Sequence, residues 1–195
     1  MRKTATVTFA EGRRRRMTSR LAASVAVMTA LCTASRLVPY FKPVSALIIL
    51  TGMWLGPAAG LMTGALTALL SDFWFGVGPW LPFQMAAWGT VGLAAGLMSP
   101  VLKKHRAAAL LFGIAAGAAF SLIMDIFTVI WAYGRLTLPL YRAALVSAIP
   151  HTLNYAASNF VYLVILGKPL GEKLKRLSDR IGSPGETVIS DQAMR

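Results

Sequence analysis

The feature that most constrains this chain is a run of 28 residues, from Val44 to Ser71, that contains no charged side chain. Similar apolar runs recur along the rest of the sequence, and they are continuous rather than alternating. Such runs predict helices in lipid, because lipid offers the backbone no hydrogen-bond partners and a membrane strand would alternate apolar and polar residues. Only 14% of the residues are charged, whereas soluble domains contain about 25%. The chain is therefore predicted to be an all-α membrane protein.

The distribution of the 20 basic residues predicts the topology. Seven lie in residues 1–20, three in residues 99–106 and six in residues 168–195. If the uncharged run is a hairpin of two helices broken at Gly56-Pro57, these three segments share one side and four basic residues lie on the other. If the run is one helix, nine basic residues change sides. Because basic residues are enriched on the cytoplasmic side, a six-transmembrane-helix bundle with both termini in the cytoplasm is predicted.

The predicted organisation has three parts. Residues 1–20 form a basic cytoplasmic segment, residues 21–167 a six-helix membrane domain, and residues 168–195 a polar cytoplasmic tail that is disordered beyond Ile181. The predicted helices span about 21–38, 44–55, 58–75, 82–98, 107–133 and 140–166.

The first predicted helix also resembles a secretory signal peptide, because four arginines at 13–16 precede an apolar stretch. That stretch, from Leu21 to Val38, is longer than a usual signal core. In addition, Leu31 precedes Cys32, where a lipoprotein cleavage site requires a small residue. Retention as a membrane helix is therefore favoured over cleavage.

Small residues recur at helical spacing and predict close helix packing. Glycines repeat every four residues on the second to fifth predicted helices, where they indicate internal packing: Gly52, Gly56, Gly60, Gly64, Gly92, Gly96, Gly113 and Gly117. The first helix carries a stripe of alanines: Ala22, Ala26, Ala30 and Ala34. Spacing alone leaves two readings of this alanine stripe open, namely internal packing and a docking surface for another membrane protein.

Polar side chains at membrane depth mark a candidate site. Asp125 is the acidic residue that lies well inside a predicted span, and a carboxylate there is costly unless it is paired or neutralised. One face of the last predicted helix is also polar, with these residues on it or at its margin: His151, Asn154, Tyr155, Ser158, Asn159 and Tyr162. This face predicts either an internal network with Asp125 or a ligand cavity.

The predicted outer loop from Asp72 to Gln84 combines five aromatic residues with glycines and prolines. This composition favours a shaped loop that folds over a cavity rather than a simple aromatic belt at the membrane surface. Aromatic walls with a few polar groups suit a mid-sized organic ligand. The candidate lid and wall residues are Trp74, Trp80, Gln84, Trp88, Trp131 and Tyr133, and the candidate polar anchors are Asp125, His151, Asn154, Tyr155 and Asn159.

The sequence contains no motif for ATP hydrolysis or for a common type of catalysis. Cys32 is the only cysteine, and the two histidines have no metal-ligand spacing, so neither a metal nor a cofactor is expected. The basic residues sit in blocks between apolar runs, which argues against nucleic-acid binding. A membrane bundle with a candidate cavity and no energy source of its own predicts a transport subunit.

Two stretches resemble a known family: VSALIILTGMWLGPAAGLMTGA at 44–65 and FGVGPWLPFQMAAWG at 75–89. They are similar to the substrate-binding S components of energy-coupling factor (ECF) vitamin transporters, and the resemblance extends over about residues 21–166. It implies a multi-pass subunit of the prokaryotic cytoplasmic membrane that captures a vitamin or related micronutrient at the outer face. The resemblance hints at cobalamin, followed closely by riboflavin-like or other ring compounds, and the residues themselves do not choose.

The same resemblance implies partners and a mechanism. The alanine stripe would dock on a transmembrane coupling protein that carries two ABC-type ATPases, and the subunit would then topple in the membrane to release its ligand inside. Two alternatives remain open from the residues alone. One is a membrane-embedded enzyme that uses Asp125 and His151 for acid–base work on a lipid, and the other is a scaffold without a ligand.

Overall fold

The computed structural model describes residues 2–182, with side chains described for residues 18–181. The described residues form α-helices and contain no strand, which confirms the predicted all-α class. The helices are α1 Arg2–Ser35, α2 Val44–Leu55, α3 Pro57–Phe75, α4 Leu81–Leu97, α5 Ser99–Lys104, α6 Arg106–Tyr133 and α7 Leu138–Gly182. Residues 183–195, most of the stretch predicted to be disordered, lie outside the described residues.

Helix α2 is the centre of the bundle. It contacts each of the other described helices, and ten of its twelve residues are buried. A helix that is apolar on every side is expected to be buried in this way. Its length is about 18 Å, at 1.5 Å per residue, well short of a hydrocarbon core about 30 Å thick. A helix this short is accommodated because its neighbours, rather than lipid, surround it.

The uncharged run from 44 to 71 is two helices, as the charge distribution predicted. Helix α2 ends at Leu55 and α3 begins at Pro57. Between them Gly56 has a φ of 101°, a conformation that residues with a Cβ rarely adopt. Pro57 suits the first position of a helix because its missing N–H would have no intrahelical partner there. The Gly-Pro pair therefore reverses the chain within one residue.

Glycines allow α2, α3 and α4 to pack backbone against backbone. A Cβ added at Gly60 would lie 2.7 Å from the Cα of Gly52, and one added at Gly92 would lie 2.9 Å from the Cα of Gly60. On the other side of the bundle, a Cβ added at Gly117 of α6 would lie 2.7 Å from the backbone nitrogen of Ala156 in α7. These distances confirm that the glycine repeat serves internal packing, with the exception of Gly56, where an added Cβ would meet nothing within 4 Å.

One end of the bundle collects aromatic residues. There Arg36, which follows α1, is paired with Asp72 in the last turn of α3, and Asn154 of α7 donates a hydrogen bond to the backbone oxygen of Tyr40. Phe83 near the start of α4 packs on Phe127 of α6, with ring centroids 5.1 Å apart. We call this the aromatic end, and it comprises residues 36–43, 72–84 and 131–137.

The opposite end of the bundle is basic. Arg20 of α1 donates from Nη1 to the backbone oxygen of Arg180 in α7 at 3.0 Å. Lys103 of α5 places its Nζ 4.9 Å from the ring centroid of Trp54, near the end of α2. We call this the basic end, and it comprises residues 18–20, 99–106 and 168–181. Three segments that are far apart in sequence thus lie at one end, the grouping on which the predicted topology depends.

Helix α7 is longer than the sequence predicts. Residues 168–182 continue the helix that begins at Leu138, although they were predicted to form a separate polar tail. The reason is an apolar stripe hidden among charges: Leu174 is buried, and Leu170 and Leu177 pack against the core cluster. Residues spaced in this way lie on one helix face, so tertiary packing fixes the extension to the bundle.

Two other boundaries differ from the prediction. Helix α1 begins at Arg2, inside the segment predicted to precede the first helix, and it ends at Ser35 rather than at residue 38. The predicted loop at 99–106 contains the short helix α5.

Among the described helices, α3 and α6 are long and apolar enough to cross a membrane, judged by length and composition, and α2 is apolar but shorter. These helices are consistent with membrane insertion.

Candidate functional site

A buried ion pair lies at the aromatic end. Asp72 is only 1% exposed, and its Oδ1 lies 2.7 Å from Nη1 of Arg36. Trp80 donates from Nε1 to Oδ2 of Asp72 at 3.0 Å. Gln84, with its amide nitrogen turned toward the carboxylate, donates to the two oxygens at 3.0 and 3.1 Å. The carboxylate is therefore satisfied by one charge and by several N–H donors, as a buried acid must be.

The guanidinium of Arg36 is held between two aromatic rings. Its Cζ lies 5.1 Å from the ring centroid of Phe75 and 5.1 Å from that of Trp88. A cation at this distance over a ring face is attracted by the negative charge of the ring face. The guanidinium of Arg36 also donates a hydrogen bond to the hydroxyl of Ser71. Arg36 thus links the end of α1 to both α3 and α4.

Trp88 is the first member of an aromatic stack that crosses the bundle. It is buried, and it stacks on Phe120 of α6 with centroids 5.1 Å apart and an interplanar angle of 18°. Phe120 in turn meets Tyr155 of α7 edge-on at 5.2 Å. The indole Nε1 of Trp88 donates to Oγ of Ser45 in α2 at 3.2 Å. Because Trp88 lies against the guanidinium of Arg36, the stack connects the Arg36–Asp72 pair to rings on α6 and α7.

Asp125 lies on the α6 side of this region and is half-buried. Its Oδ2 is enclosed and has no hydrogen-bond partner among the described side chains. His151 lies close enough to interact electrostatically with the Asp125 carboxylate, and Tyr155 lies within electrostatic reach of both Asp125 and Arg36. No group of three or more metal-ligating residues occurs in the part of the chain that the structure describes.

The polar face of α7 holds the loop between α1 and α2. Three of its side chains donate to three consecutive backbone oxygens: Asn154 to Tyr40 at 2.8 Å, Tyr162 to Phe41 at 3.1 Å and Ser158 to Lys42 at 2.6 Å. This bonding fixes a loop in which Tyr40 has a φ of 55°, an unusual value for a residue other than glycine. Asn159 is buried and donates to the backbone oxygen of Gly113 in α6 at 2.9 Å. Most of this face therefore bonds to backbone rather than lining an open cavity.

Lys42 is the charged residue of that loop. Burial lowers the pKa of its ammonium group below the usual value, and the nearby positive charge of Arg36 lowers it further. The loop therefore brings a second cation toward the Arg36–Asp72 pair.

The structure divides the predicted site residues into several groups. Those that it brings together around the Arg36–Asp72 pair and the aromatic stack are Trp80, Gln84, Trp88 and Tyr155. Asp125 is within electrostatic reach of Tyr155 and of His151, which is exposed. Those that lie at the periphery are Trp74, Trp131 and Tyr133, which are 79%, 66% and 61% exposed. Asn154 and Asn159 are already bonded to backbone, as described above.

Sequence reasoning missed two residues at the centre of the site. Asp72 was placed in an outer loop and Arg36 was counted only as one of the four basic residues on the outer side, yet the two form the ion pair. As a result, Asp125 is not the principal buried acid of the bundle. The available signal was that one acid and one base stand at the same end of two neighbouring apolar helices. Ser45 and Phe120 carried no signal of their own.

The alanine stripe of α1 faces outward. Ala22, Ala26, Ala30 and Ala34 are all exposed, whereas the opposite side of α1 is buried against α2 and α3 through residues such as Cys32. The stripe is therefore not used to pack α1 against the helices of its own chain.

Comparison with known families decides the assignment. A family model for the S component of ECF-type riboflavin transporters matches residues 16–176. The chain belongs to this family. The S component is accordingly a membrane protein of vitamin uptake and not an enzyme, so the interpretation of Asp125 and His151 as lipid-modifying catalysts is wrong.

Members of this family work with an ECF energising module. The description of the matched family names riboflavin as the transported compound, so the prediction of cobalamin is not supported. The comparisons find no match among curated proteins and none among solved structures.

Proposed function

We propose that this S component captures riboflavin or a closely related flavin at the aromatic end and delivers it inward with an ATP-driven module. The observation that carries the proposal is that Trp88, which begins the aromatic stack with Phe120 and Tyr155, lies against Arg36 of the Arg36–Asp72 pair. A flavin ring system is planar, and one edge of it carries carbonyl oxygens and an imide N–H. Stacking surfaces next to hydrogen-bonding groups match both features.

Each class of group in the site has a role in this proposal. In the structure Arg36 and Phe120 cover the faces of Trp88, and the donors of Arg36 and Gln84 bond to Asp72. The ligand is therefore proposed to displace Arg36 from Trp88 as it enters. Trp88 and Tyr155 then offer faces for the rings, the released donors of Arg36 and Gln84 bind the carbonyl oxygens, and a carboxylate oxygen of Asp72 accepts from the imide N–H. The unpartnered oxygen of Asp125 accepts from a hydroxyl of the sugar-like chain. The loop 76–80 serves as a lid, since Trp80 lies on it and contacts Asp72.

The topology proposed for the S component has six crossings of the cytoplasmic membrane, by α1, α2, α3, α4, α6 and α7. Both termini lie in the cytoplasm and the aromatic end faces outward. The support comes from the basic end, where basic residues of α1, α5, α6 and α7 gather. Such residues are retained on the cytoplasmic side. In this orientation the ligand site opens toward the outside, where an importer meets its substrate.

The energising module is proposed to comprise a transmembrane coupling protein and two ABC-type ATPases, which bind the alanine stripe of α1. An outward face of small side chains allows a partner helix to approach closely, where packing replaces the hydrophobic drive that is absent in lipid. The S component then topples in the membrane so that the ligand site reaches the cytoplasm.

Quenching of riboflavin fluorescence by the full-length S component in detergent tests the ligand. Trp88→Leu is expected to weaken binding by about 5- to 150-fold, since stacking of a flat ring on an aromatic side chain contributes roughly 1–3 kcal/mol. The matched control is Trp74→Leu, because Trp74 is exposed and lies on the same end. Tight binding of cobalamin without binding of riboflavin would refute the proposal.

Co-purification with the module tests the docking surface. The double variant Ala26→Leu, Ala30→Leu is expected to lose the coupling protein and to abolish uptake, while riboflavin binding stays unchanged. Ala115→Leu is the control, because Ala115 is an exposed alanine on α6. Loss of riboflavin binding together with docking would count against the assignment of the stripe.

A further inference from the structure

A cavity of about 280 Å³ lies at the basic end, far from the aromatic stack. It is enclosed by the end of α2, by α5, by the start of α6 and by the middle of α7. The volume is just below the range of about 300–1,000 Å³ that is usual for pockets of drug-sized ligands. The cavity is separate from the proposed vitamin site, since the two share no lining residue.

The lining of this cavity has two chemically distinct parts. Its interior is apolar, formed by side chains such as Met53, Leu102 and Leu163, which are buried. Its rim carries four basic residues: Lys103, Lys104, Arg106 and Lys168. No acidic residue lines the cavity. All four basic residues are exposed. A molecule that fits both parts has an anionic group attached to an apolar body.

The rim cations have no acidic partner among the described side chains, where the one ion pair joins Arg36 and Asp72. The contacts that Lys103 and Arg106 do make leave their positive charges available to bind an anion. Lys103 lies over the ring of Trp54, and Arg106 uses Nη2 for one bond of 3.4 Å to the backbone oxygen of Val164. A guanidinium has five N–H donors, so most of those of Arg106 remain for an anion.

We propose that this cavity binds an anionic phospholipid of the surrounding membrane, with the phosphate at the basic rim and the start of an acyl chain along the apolar interior. Basic pockets between membrane helices attract anionic headgroups, and the family places this chain in a membrane. A free phosphate ion would use the rim but not the apolar interior. The lipid would join α2, α5, α6 and α7 at the level of the headgroups.

Native mass spectrometry of the full-length S component, titrated with phosphatidylglycerol or phosphatidylcholine, tests the proposal. The wild type is expected to retain phosphatidylglycerol in preference to phosphatidylcholine. The triple variant Lys103→Gln, Lys104→Gln, Arg106→Gln is expected to lose about 100-fold in affinity for phosphatidylglycerol, at roughly fivefold for each charge removed. Thermal unfolding followed by helical circular dichroism serves as the check that the variant is folded.

A second triple variant is a matched control for net charge. It is Lys173→Gln, Lys175→Gln, Arg176→Gln, which removes the same residue types from exposed positions of α7 that do not line the cavity. Its affinity for phosphatidylglycerol is expected to change by less than about fivefold. An equal loss in both triple variants would show attraction to the whole basic surface and would overturn the proposal.

Two further outcomes would also overturn it. Inorganic phosphate that displaces phosphatidylglycerol completely at millimolar concentration would identify a soluble anion as the occupant. Unchanged phosphatidylglycerol binding in the first triple variant, combined with loss of the energising module, would identify the rim as a protein-binding surface. A failure of riboflavin binding in the wild type would affect the proposed function but leave the lipid measurement interpretable.

Discussion

Gly92→Ala should destabilise the S component, although alanine is the better helix former. Gly92 lies in α4 where α3 passes closest. The nearest atoms that an added Cβ would meet are backbone atoms of Gly60, including its Cα at 2.9 Å. Backbone atoms cannot rotate away as a side chain does, so the two helices must separate.

The size of the effect follows from this geometry. Ordinary carbon–carbon contact is about 3.5–4.0 Å, so α3 and α4 must move apart by roughly 1 Å, which forfeits a quarter to a half of the dispersion energy of neighbouring contacts. Overpacking of this kind costs about 1–3 kcal/mol, and a rigid backbone neighbour favours the upper end. The gain in helix propensity returns about 1 kcal/mol. A net loss of about 2 kcal/mol is expected.

Thermal unfolding of the full-length chain in one detergent, followed by helical circular dichroism, measures the effect. Gly167→Ala is the control, because Gly167 lies within α7 and an added Cβ there would meet nothing within 4 Å. This substitution is expected to raise the melting temperature, while Gly92→Ala lowers it. A melting temperature for Gly92→Ala at or above that of the wild type would refute the packing argument.

Three other perturbations have definite expected outcomes. Asp72→Leu should lower the free energy of unfolding by about 3–5 kcal/mol, because it leaves the cation of Arg36 buried without a partner. Adding Arg36→Leu should recover thermal stability but not riboflavin binding. A double variant no more stable than the single variant would contradict this. Ser158→Ala removes one bond to the loop at 40–42 and should cost about 1 kcal/mol; faster amide hydrogen exchange in that loop is the readout, and unchanged exchange would speak against the bond. A membrane-impermeant maleimide should label Val77→Cys in intact cells but Lys104→Cys only after permeabilisation, and the reverse pattern would invert the proposed topology.

The elements that were predictable are those that a short stretch of sequence decides alone. The break at Gly56-Pro57 is one, because the φ freedom of glycine and the missing N–H of proline act at a single position. The glycine repeat is another, since a residue without a side chain at helical spacing has few uses other than close packing. Charge placement predicted that residues 1–20, 99–106 and 168–195 share one side, and the contacts of Arg20 and Lys103 agree for the described residues of these segments.

The candidate site was less predictable because its central contacts join residues that are distant in sequence. Trp88 was predicted as a lid or wall residue from the aromatic composition, but its stacking partner Phe120 is on another helix, and their contact depends on how far α4 and α6 are offset. The polar face of α7 was identified correctly as a feature. Its partners, the backbone oxygens of residues 40–42, were not predictable, because they lie more than 110 residues away in sequence and meet α7 only in the folded bundle.

The sequence by itself predicted that lipid is the solvent for much of this chain and that its apolar runs form helices, because in lipid such long and continuous runs leave the backbone no other way to satisfy its hydrogen bonds. Only the tertiary structure decided which charges are paired. The Asp72 carboxylate can be buried, at 1% exposure, because Arg36 pairs with it. This pairing requires α1 to end at Ser35, so that Arg36, the residue that follows, reaches the last turn of α3. That coincidence depends on the lengths and offsets of two helices together, and no local pattern encodes it.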